Sequence, residues 1–316
     1  MNDINYGFFS PAGTSPNSSW LGTPKIVFYI FSVIAVLILF LVWFLHNLIY
    51  RNYQNREKII GLNKNVFMFL FGAFTIVGMF ARSFILAINK YPYLWEILPL
   101  HLCRLMILFT AICLLINKQK WVKYFLPFSI LGALLALFMP DMVKVQEQKV
   151  LLVGYDNFYY WDYILAHYYA LIVPSIIYAI NKNNYEFKDT LTTFVIFFIL
   201  GTVMFLINYF TNVNSFVKEN WKSNYFYLGT NEYNTLSELF GHYSHWPLNY
   251  VIYVLVIIVY ILLYVFLFWA QSNFFIDKEE KKWIFKIAKN EEWENYKQSV
   301  FNFFKNKKKL TNQTTK

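Results

Sequence analysis

Charged side chains are scarce in this sequence, and that scarcity decides its class. Asp, Glu, Lys and Arg make up 15% of the 316 residues, whereas hydrophobic residues make up 58%. Soluble domains average about a quarter charged and a half apolar. No long polar stretch separates the apolar runs before the C-terminal tail, which argues against two soluble domains. The composition therefore predicts an all-α membrane protein built as one helical bundle.

Cysteine and the common catalytic motifs are also nearly absent. The two cysteines, Cys103 and Cys113, lie on one predicted helix, about 15 Å apart along its axis, which is too far for a disulfide. The sequence contains no Gly-rich phosphate loop, no Ser nucleophile elbow and no HExxH helix, which excludes the enzyme classes that those motifs mark. We expect no cofactor.

Seven apolar runs have about the length that crosses a bilayer, roughly 20 residues. They cover 26–50, 66–89, 97–116, 121–140, about 160–180, 191–210 and 246–270. No basic region precedes the first run, and that run is too long for the core of a cleaved signal peptide. The sequence thus predicts an N-terminal segment (1–25), a seven-helix transmembrane domain (26–270) and a tail (271–316).

The formal charge of +10 is distributed unevenly along the chain. Twenty Lys and Arg residues lie in the tail and in the loops after the first, third and fifth runs, whereas the N-terminal segment and the other loops hold six. Because basic residues favour the cytoplasmic side, we expect the N-terminus outside, the C-terminus in the cytoplasm, and residence in the cell membrane. This distribution reports orientation and gives no indication of a nucleic-acid partner.

The basic tail has its own pattern. Residues 277–310 carry apolar side chains at helical spacings among many lysines, namely Trp283, Ile284, Ile287, Trp293, Tyr296, Val300 and Phe304. The pattern predicts an amphipathic basic helix on the anionic cytoplasmic leaflet. A solvated tail is the alternative.

Ionisable residues within membrane helices are costly and normally face the bundle interior, a cavity or a partner charge. With the predicted orientation, several ionisable or polar residues lie near the outer ends of their runs: Arg82, His101, Cys103, Arg104, His167 and Asn208. The two arginines share one depth and need anions. Candidates are Glu96, Asp141, Asp156 and Asp162, or the phosphate of a lipid, which arginine binds through paired N–H donors.

Cys103 needs further support before it can be assigned a catalytic role, because a free cysteine in an apolar helix usually acts as a small hydrophobe. His101 is two positions away, so on a helix it points to the other side from Cys103 and shares a face with Arg104. A base for the thiol must then come from another helix, and His167 lies at a suitable depth.

Several short motifs, in their order and spacing, carry a family resemblance. They are PLHLC at 99–103, Met139-Pro140-Asp141, AHYYALIVP at 166–174, and NYFYL at 224–228 followed by Leu236-Ser237 and Gly241. In these the sequence resembles the YwaF family of bacterial integral membrane proteins, and its cysteine and histidine segments are similar to the animal transmembrane protein 164 group. It departs from that pattern at 230–233, where a proline is expected, and at 242–245.

The resemblance implies a polytopic fold with a catalytic cysteine and histidine on separate helices, and, through the animal relatives, acyl transfer between phospholipids. Carried over by position, these residues are Cys103 and His167, and His101 belongs to the same motif. The expected partner is a phospholipid or lysophospholipid, and the expected substrate-binding residues are Arg82, Arg104, His101 and Asn208. The oligomeric state stays open.

Two other functions compete with acyl transfer or hydrolysis. The same polar cluster would serve a transporter or channel for a small anion or a lipid-like substrate, although ionisable residues are few in the inner halves of the runs. A metal site is a further alternative, built from His101, His167, His242 and His245. These histidines lack the close ligand spacing of a recognisable motif, and we expect no metal.

Overall fold

The fold was analysed in a computed structural model that describes residues 7–11, 22–140, 145–146, 149–150, 154–181, 185–230, 240–279, 282–287 and 291–314. Much of the predicted N-terminal segment and Asp141 lie outside these ranges. The α-helices are α1 (Thr23–Phe44), α2 (His46–Gln54), α3 (Lys64–Ile88), α4 (Leu102–Leu115), α5 (Leu126–Phe138), α6 (Phe158–Asn181), α7 (Phe187–Val213), α8 (Leu248–Asn273) and α9 (Glu291–Thr314).

Short elements connect the helices. Short 3-10 helices are formed by Leu94–Ile97, Gln119–Tyr124, Glu219–Trp221, Tyr225–Tyr227 and Gly241–Ser244. The strands are β1 (Lys58–Ile59), β2 (Leu62–Asn63), β3 (Val145–Gln146), β4 (Lys149–Val150), β5 (Phe274–Glu279) and β6 (Lys282–Ile287). They pair as three antiparallel hairpins, β1 with β2, β3 with β4 and β5 with β6.

Six helical segments in the described ranges are long and apolar enough to cross a membrane: Thr23–Phe44, Lys64–Ile88, Leu94–Leu115, Phe158–Asn181, Phe187–Val213 and Leu248–Asn273. Large apolar side chains such as Val33 and Leu37 on α1 point away from the bundle and are more than half exposed. An apolar outer surface on helices is what a bilayer requires. The prediction of a helical multi-pass membrane protein is confirmed.

Two of the predicted runs are divided. The run 26–50 breaks at Leu45, where α1 ends and the polar helix α2 begins. The run 121–140 is also not a single helix, because α5 has 13 residues and follows the 3-10 helix Gln119–Tyr124. Pro127 lies in the first turn of α5. A proline is tolerated there because N–H groups of the first turn have no intrahelical partner, whereas in the middle of a helix the missing N–H would break a hydrogen bond. Alone, α5 extends about 20 Å, less than the roughly 30 Å hydrocarbon core.

The tail also differs from the prediction. A helix from residue 277 onward is wrong, because Phe274–Glu279 and Lys282–Ile287 form a hairpin with Asp277 opposite Ile284. These segments are rich in aromatic and β-branched residues, which favour strands. Helix α9 begins only at Glu291. Its Tyr296 is buried, with its ring stacked on that of Tyr185 at 6.1 Å, so part of its apolar face packs on the bundle rather than on lipid.

Helix α6 lies at the centre of the bundle. Residues such as Tyr160, Ile164 and Leu171 on α6 are fully or almost fully buried and form one core cluster with α1, α3 and α5. A second cluster joins α4, α5, α7 and α8 around Met106 and Phe197. The first cluster also includes Cys103 and Ile107 of α4, so the two clusters meet at α4.

Candidate functional site

A cavity of about 360 Å³ lies between α3, α4, α5, α6 and α8. Its volume is within the range of small-molecule sites, about 300–1,000 Å³. One part of its wall carries the polar residues Arg82, Glu96, His101, Cys103, Arg104 and His167. Helices α5 and α8 contribute mainly apolar side chains to the wall, namely Leu131, Leu135, Ala136, Ile252, Val256 and Ile257. The cavity is therefore amphipathic, like a lipid.

Cys103 is the second residue of α4 and its side chain is buried. The first N–H groups of a helix have no intrahelical acceptor, so they are available to an anion in the adjoining cavity. The thiol lies against α5, because a Cβ added at Gly132 would be 3.0 Å from the Cys103 Sγ. Glycine at that position leaves room for the sulfur.

His167, on α6, is buried with one ring nitrogen already engaged. Its Nδ1 lies 2.6 Å from the backbone carbonyl oxygen of Tyr163. A carbonyl oxygen only accepts hydrogen bonds, so Nδ1 carries the proton and Nε2 of the neutral ring holds a lone pair. The Tyr163 ring packs against the imidazole, with centroids 4.2 Å apart. This environment fixes the tautomer that a general base needs.

His101 is not on the helix, and the prediction that it shares a helical face with Arg104 is wrong. It is the N-cap of α4 with extended backbone, φ −63° and ψ 145°. Pro99 restricts Leu98 to extended conformations, and α4 starts only at Leu102. Helical geometry therefore does not separate His101 from Cys103. The His101 ring packs on the rings of Trp95 and Tyr227, with centroids 5.5 and 5.4 Å away.

Both arginines pair with carboxylates of the protein. Arg82 contacts Asp162 through Nε at 3.1 Å and Glu96 through Nη2 at 3.7 Å, and its Nη1 donates to the Glu96 carbonyl. Arg104 also pairs with the Asp162 carboxylate, through Nη2, and donates to the Asp162 carbonyl at 3.2 Å. The two guanidinium groups and the two carboxylates of Glu96 and Asp162 together carry no net charge. Asp162 thus joins α3, α4 and α6 beside Cys103.

The segment 219–230, which we call the capping loop, covers the cavity with Phe226, Tyr227 and Leu228. Asn208 on α7 holds this loop: its Oδ1 accepts from Tyr225 N at 2.9 Å and its Nδ2 donates to Tyr225 O at 2.8 Å. Burial raises the pKa of Tyr225, so its hydroxyl stays protonated and donates to the Trp95 carbonyl at 2.6 Å. Hydrogen bonds of Tyr225 thus hold the loop both to α7 and to the 3-10 helix that contains Trp95.

A sequence model of the TMEM164 family matches residues 20–265. The chain belongs to the TMEM164 family. The match runs from α1 into the last turns of α8 and includes every residue of the cavity wall. Comparisons with curated proteins and with solved structures found no match.

In this TMEM164-family protein, the structure brings five of the six predicted site residues to one cavity: Arg82, His101, Cys103, Arg104 and His167. It does not bring Asn208 there, because that side chain is fully buried under the capping loop. His242 and His245 lie together, with ring centroids 5.6 Å apart, but do not line the cavity. In the described ranges no group of three or more His, Cys, Asp or Glu side chains is placed to hold a metal ion.

Sequence reasoning missed several residues of the site. Asn249, the second residue of α8, lines the cavity and is 6% exposed. An asparagine at the start of so apolar a run is a signal of the kind that singled out the arginines. Gly132 and Tyr163 gave no such signal, since a glycine or a tyrosine in a membrane helix is ordinary.

Proposed function

We propose that this protein is a membrane-embedded lipid acyltransferase or acyl hydrolase in which Cys103 is the nucleophile and His167 the base. The observation that carries the proposal is the shared cavity: a thiol in the first turn of a helix and a histidine of fixed tautomer line the same amphipathic space. Membership of the TMEM164 family and the resemblance to animal phospholipid acyltransferases support it.

The reaction has two halves. The Cys103 proton passes to His167 Nε2 while sulfur attacks the carbonyl carbon of a lipid ester, so that a C–S bond forms and the ester C–O bond breaks. The departing alkoxide takes the proton from the imidazolium, leaving a lysolipid and a thioester. A hydroxyl of a second lysolipid, or water, then gives its proton to His167 and attacks the thioester. The thiolate leaves and regains its proton.

Arg104 is the better candidate of the two arginines for a lipid phosphate. Arg82 engages all three of its nitrogens with Asp162 and Glu96, whereas the contacts of Arg104 with Asp162 run through Nη2. A guanidinium has five N–H donors, so Arg104 keeps donors for a headgroup. First-turn N–H groups of α4 are placed to stabilise the oxyanion of the tetrahedral intermediates.

A covalent intermediate tests this chemistry. Purified protein given a phospholipid with a labelled acyl chain should acquire a label that hydroxylamine releases. Cys103→Ser should abolish the hydroxylamine-labile label, and His167→Ala should slow its formation on the order of 10²-fold or more. Cys113→Ser on the same helix and His46→Ala on α2, neither of which lines the cavity, are the matched controls. Equal labelling of wild type and Cys103→Ser would rule out this nucleophile and favour the transport alternative.

We also infer seven crossings with the N-terminus outside the cell membrane. Near their starts α4 and α6 touch through Arg104 and Asp162, and near their other ends Asn181 lies 3.4 Å from Gln119. These helices are thus parallel, so the chain between them must return across the bundle. The 3-10 helix Gln119–Tyr124 and α5 together rise about 31 Å, which matches the hydrocarbon thickness.

An impermeant thiol reagent applied to intact cells tests the topology. It should label Ser15→Cys and fail to label Lys307→Cys until the cells are opened, with the parent protein as the background control. Labelling of both positions from outside would mean an even number of crossings and would remove the argument for orientation.

A further inference from the structure

Asn249 has a carboxamide whose orientation is fixed by the capping loop. Its Nδ2 donates to the carbonyl oxygens of Gly229 at 3.1 Å and Tyr227 at 3.4 Å. Carbonyl oxygens only accept, so the nitrogen must face them and Oδ1 must lie on the other branch of the amide. The side chain is 6% exposed and lines the cavity.

The Oδ1 of Asn249 is a buried acceptor without a donor. Within the part of the chain that the structure describes, no protein group donates to it. A buried polar atom left unsatisfied is unfavourable, and nearly all such atoms in folded proteins have a partner. Oδ1 itself has almost no accessible surface, so a donor that enters the cavity beside Asn249 reaches it with a small movement of the amide.

We propose that Asn249 binds the free hydroxyl of a lysolipid, the acceptor in the second half of the acyl transfer, through Oδ1. The identity of the ligand rests on the proposed function, whereas the need for a donor rests on Asn249 alone. A neutral amide oxygen suits a neutral hydroxyl. Asn249 and Cys103 are each the second residue of a helix that opens on the same cavity, so a hydroxyl held by Asn249 would share that cavity with the thiol.

Binding of two matched lipids tests the proposal without turnover. The probes are a lysophospholipid with its free glycerol hydroxyl and the deoxy analogue with the same acyl chain, and the protein carries Cys103→Ser so that neither lipid reacts. We expect the hydroxyl form to bind roughly tenfold more tightly, the size of one hydrogen bond to a buried acceptor. Adding Asn249→Leu should remove the preference, because leucine fills similar space without an acceptor.

The comparison of two lipids separates a lost hydrogen bond from a disturbed loop. Displacement of the capping loop would weaken both lipids equally, whereas loss of the acceptor weakens only the hydroxyl form. Asn212→Leu is the matched control, since Asn212 also donates to two backbone carbonyls, Asn208 O and Ser223 O, but does not line the cavity. It should keep the preference.

Two results would overturn the proposal: equal affinity of both lipids for the protein with Asn249 intact, as expected if a water molecule fills the place of the donor, or an unchanged preference after Asn249→Leu. Both differ from failure of the proposed function. A protein that prefers the hydroxyl lipid yet never forms a thioester would keep the Asn249 site and lose the nucleophile.

Discussion

The two ends of α4 carry the same residue type in different surroundings. Cys103 and Cys113 are both buried and unpaired. Cys113, near the last turn, packs with Met68, Leu114, Val122, Ile177 and Ile180 in a dense cluster. Cys103, in the first turn, also belongs to a core cluster, but it lines the cavity, as does Gly132 beside its sulfur. Burial alone therefore does not distinguish the cysteine that we propose as the nucleophile from a structural one, and what differs between them is the cavity beside the Cys103 sulfur.

A glycine on a neighbouring helix shows the same contrast. A Cβ at Gly72 on α3 would be 2.9 Å from the backbone oxygen of Ala111, near Cys113, so that glycine permits close packing of α3 on α4. A Cβ at Gly132 on α5 would meet side chains, Cys103 Sγ and Leu102 Cδ2, both at 3.0 Å. The final turns of α4 are held by helix packing, whereas the first turn is held by the charge pairs of Arg104 and Asp162 beside the cavity.

The largest effect on this contrast should come from Asp162→Asn. The carboxylate of Asp162 is 8% exposed and bridges Arg82 and Arg104. Removing one partner of a buried pair leaves charge uncompensated, so we expect a loss of about 3–5 kcal/mol in the free energy of unfolding, measured in detergent micelles. Hydrogen exchange should accelerate in the first turn of α4 before it does near Cys113.

Asp277→Asn is the matched control for that change. Asp277 is itself only 11% exposed, but its partner Arg51 is 49% exposed, so water compensates the charge left behind and the expected loss is smaller, about 1 kcal/mol. Burial tends to raise the pKa of Asp277, but the Lys278 N–H and Arg51 lower it below its usual value. A lowered pKa means that this contribution is present above about pH 4 and is lost as the pH falls through the folded value. Equal losses for both variants would mean that the Asp162 bridge stabilises the protein no more than a solvent-exposed pair does, so that charge pairs would not be what holds the first turn of α4.

The sequence alone indicated the membrane class and the polar cluster for one physical reason. A charge or a histidine is costly in an apolar run, so Arg82, Arg104 and His167 stand out from their surroundings. The choice between Asp162 and the other acidic candidates depends on how α3, α4 and α6 pack, which no local pattern contains. The conformation of the capping loop could not be predicted from the sequence either, because Phe226 and Tyr227 adopt positive φ values of 57°, which are uncommon outside glycine.

The predicted helix boundaries were wrong where short-range and long-range preferences disagree. Residues 97–116 look like one apolar helix, but Pro99 delays the start of α4 to Leu102 and places His101 outside it. That shift of a few residues changes the function that His101 can have. In the tail, helical spacing of apolar residues after Asp277 is real, yet the strands pair with each other, and pairing is a non-local property.

The smallest expected effect is on the rate of thioester formation and leaves the free energy of unfolding almost unchanged. Gly132→Ala adds a methyl group 3.0 Å from the Cys103 sulfur, and a flexible neighbour can yield a few tenths of an ångström. We expect thioester formation to slow by roughly three- to tenfold, because reaction rate is sensitive to such displacements, with little change in unfolding. Gly72→Ala should do the reverse, since the backbone oxygen of Ala111 cannot move alone: a loss of about 1–3 kcal/mol in unfolding with the rate retained. If both substitutions change stability and neither changes the rate, the first turn of α4 is packed for stability like the last, and the distinction between the two cysteines fails.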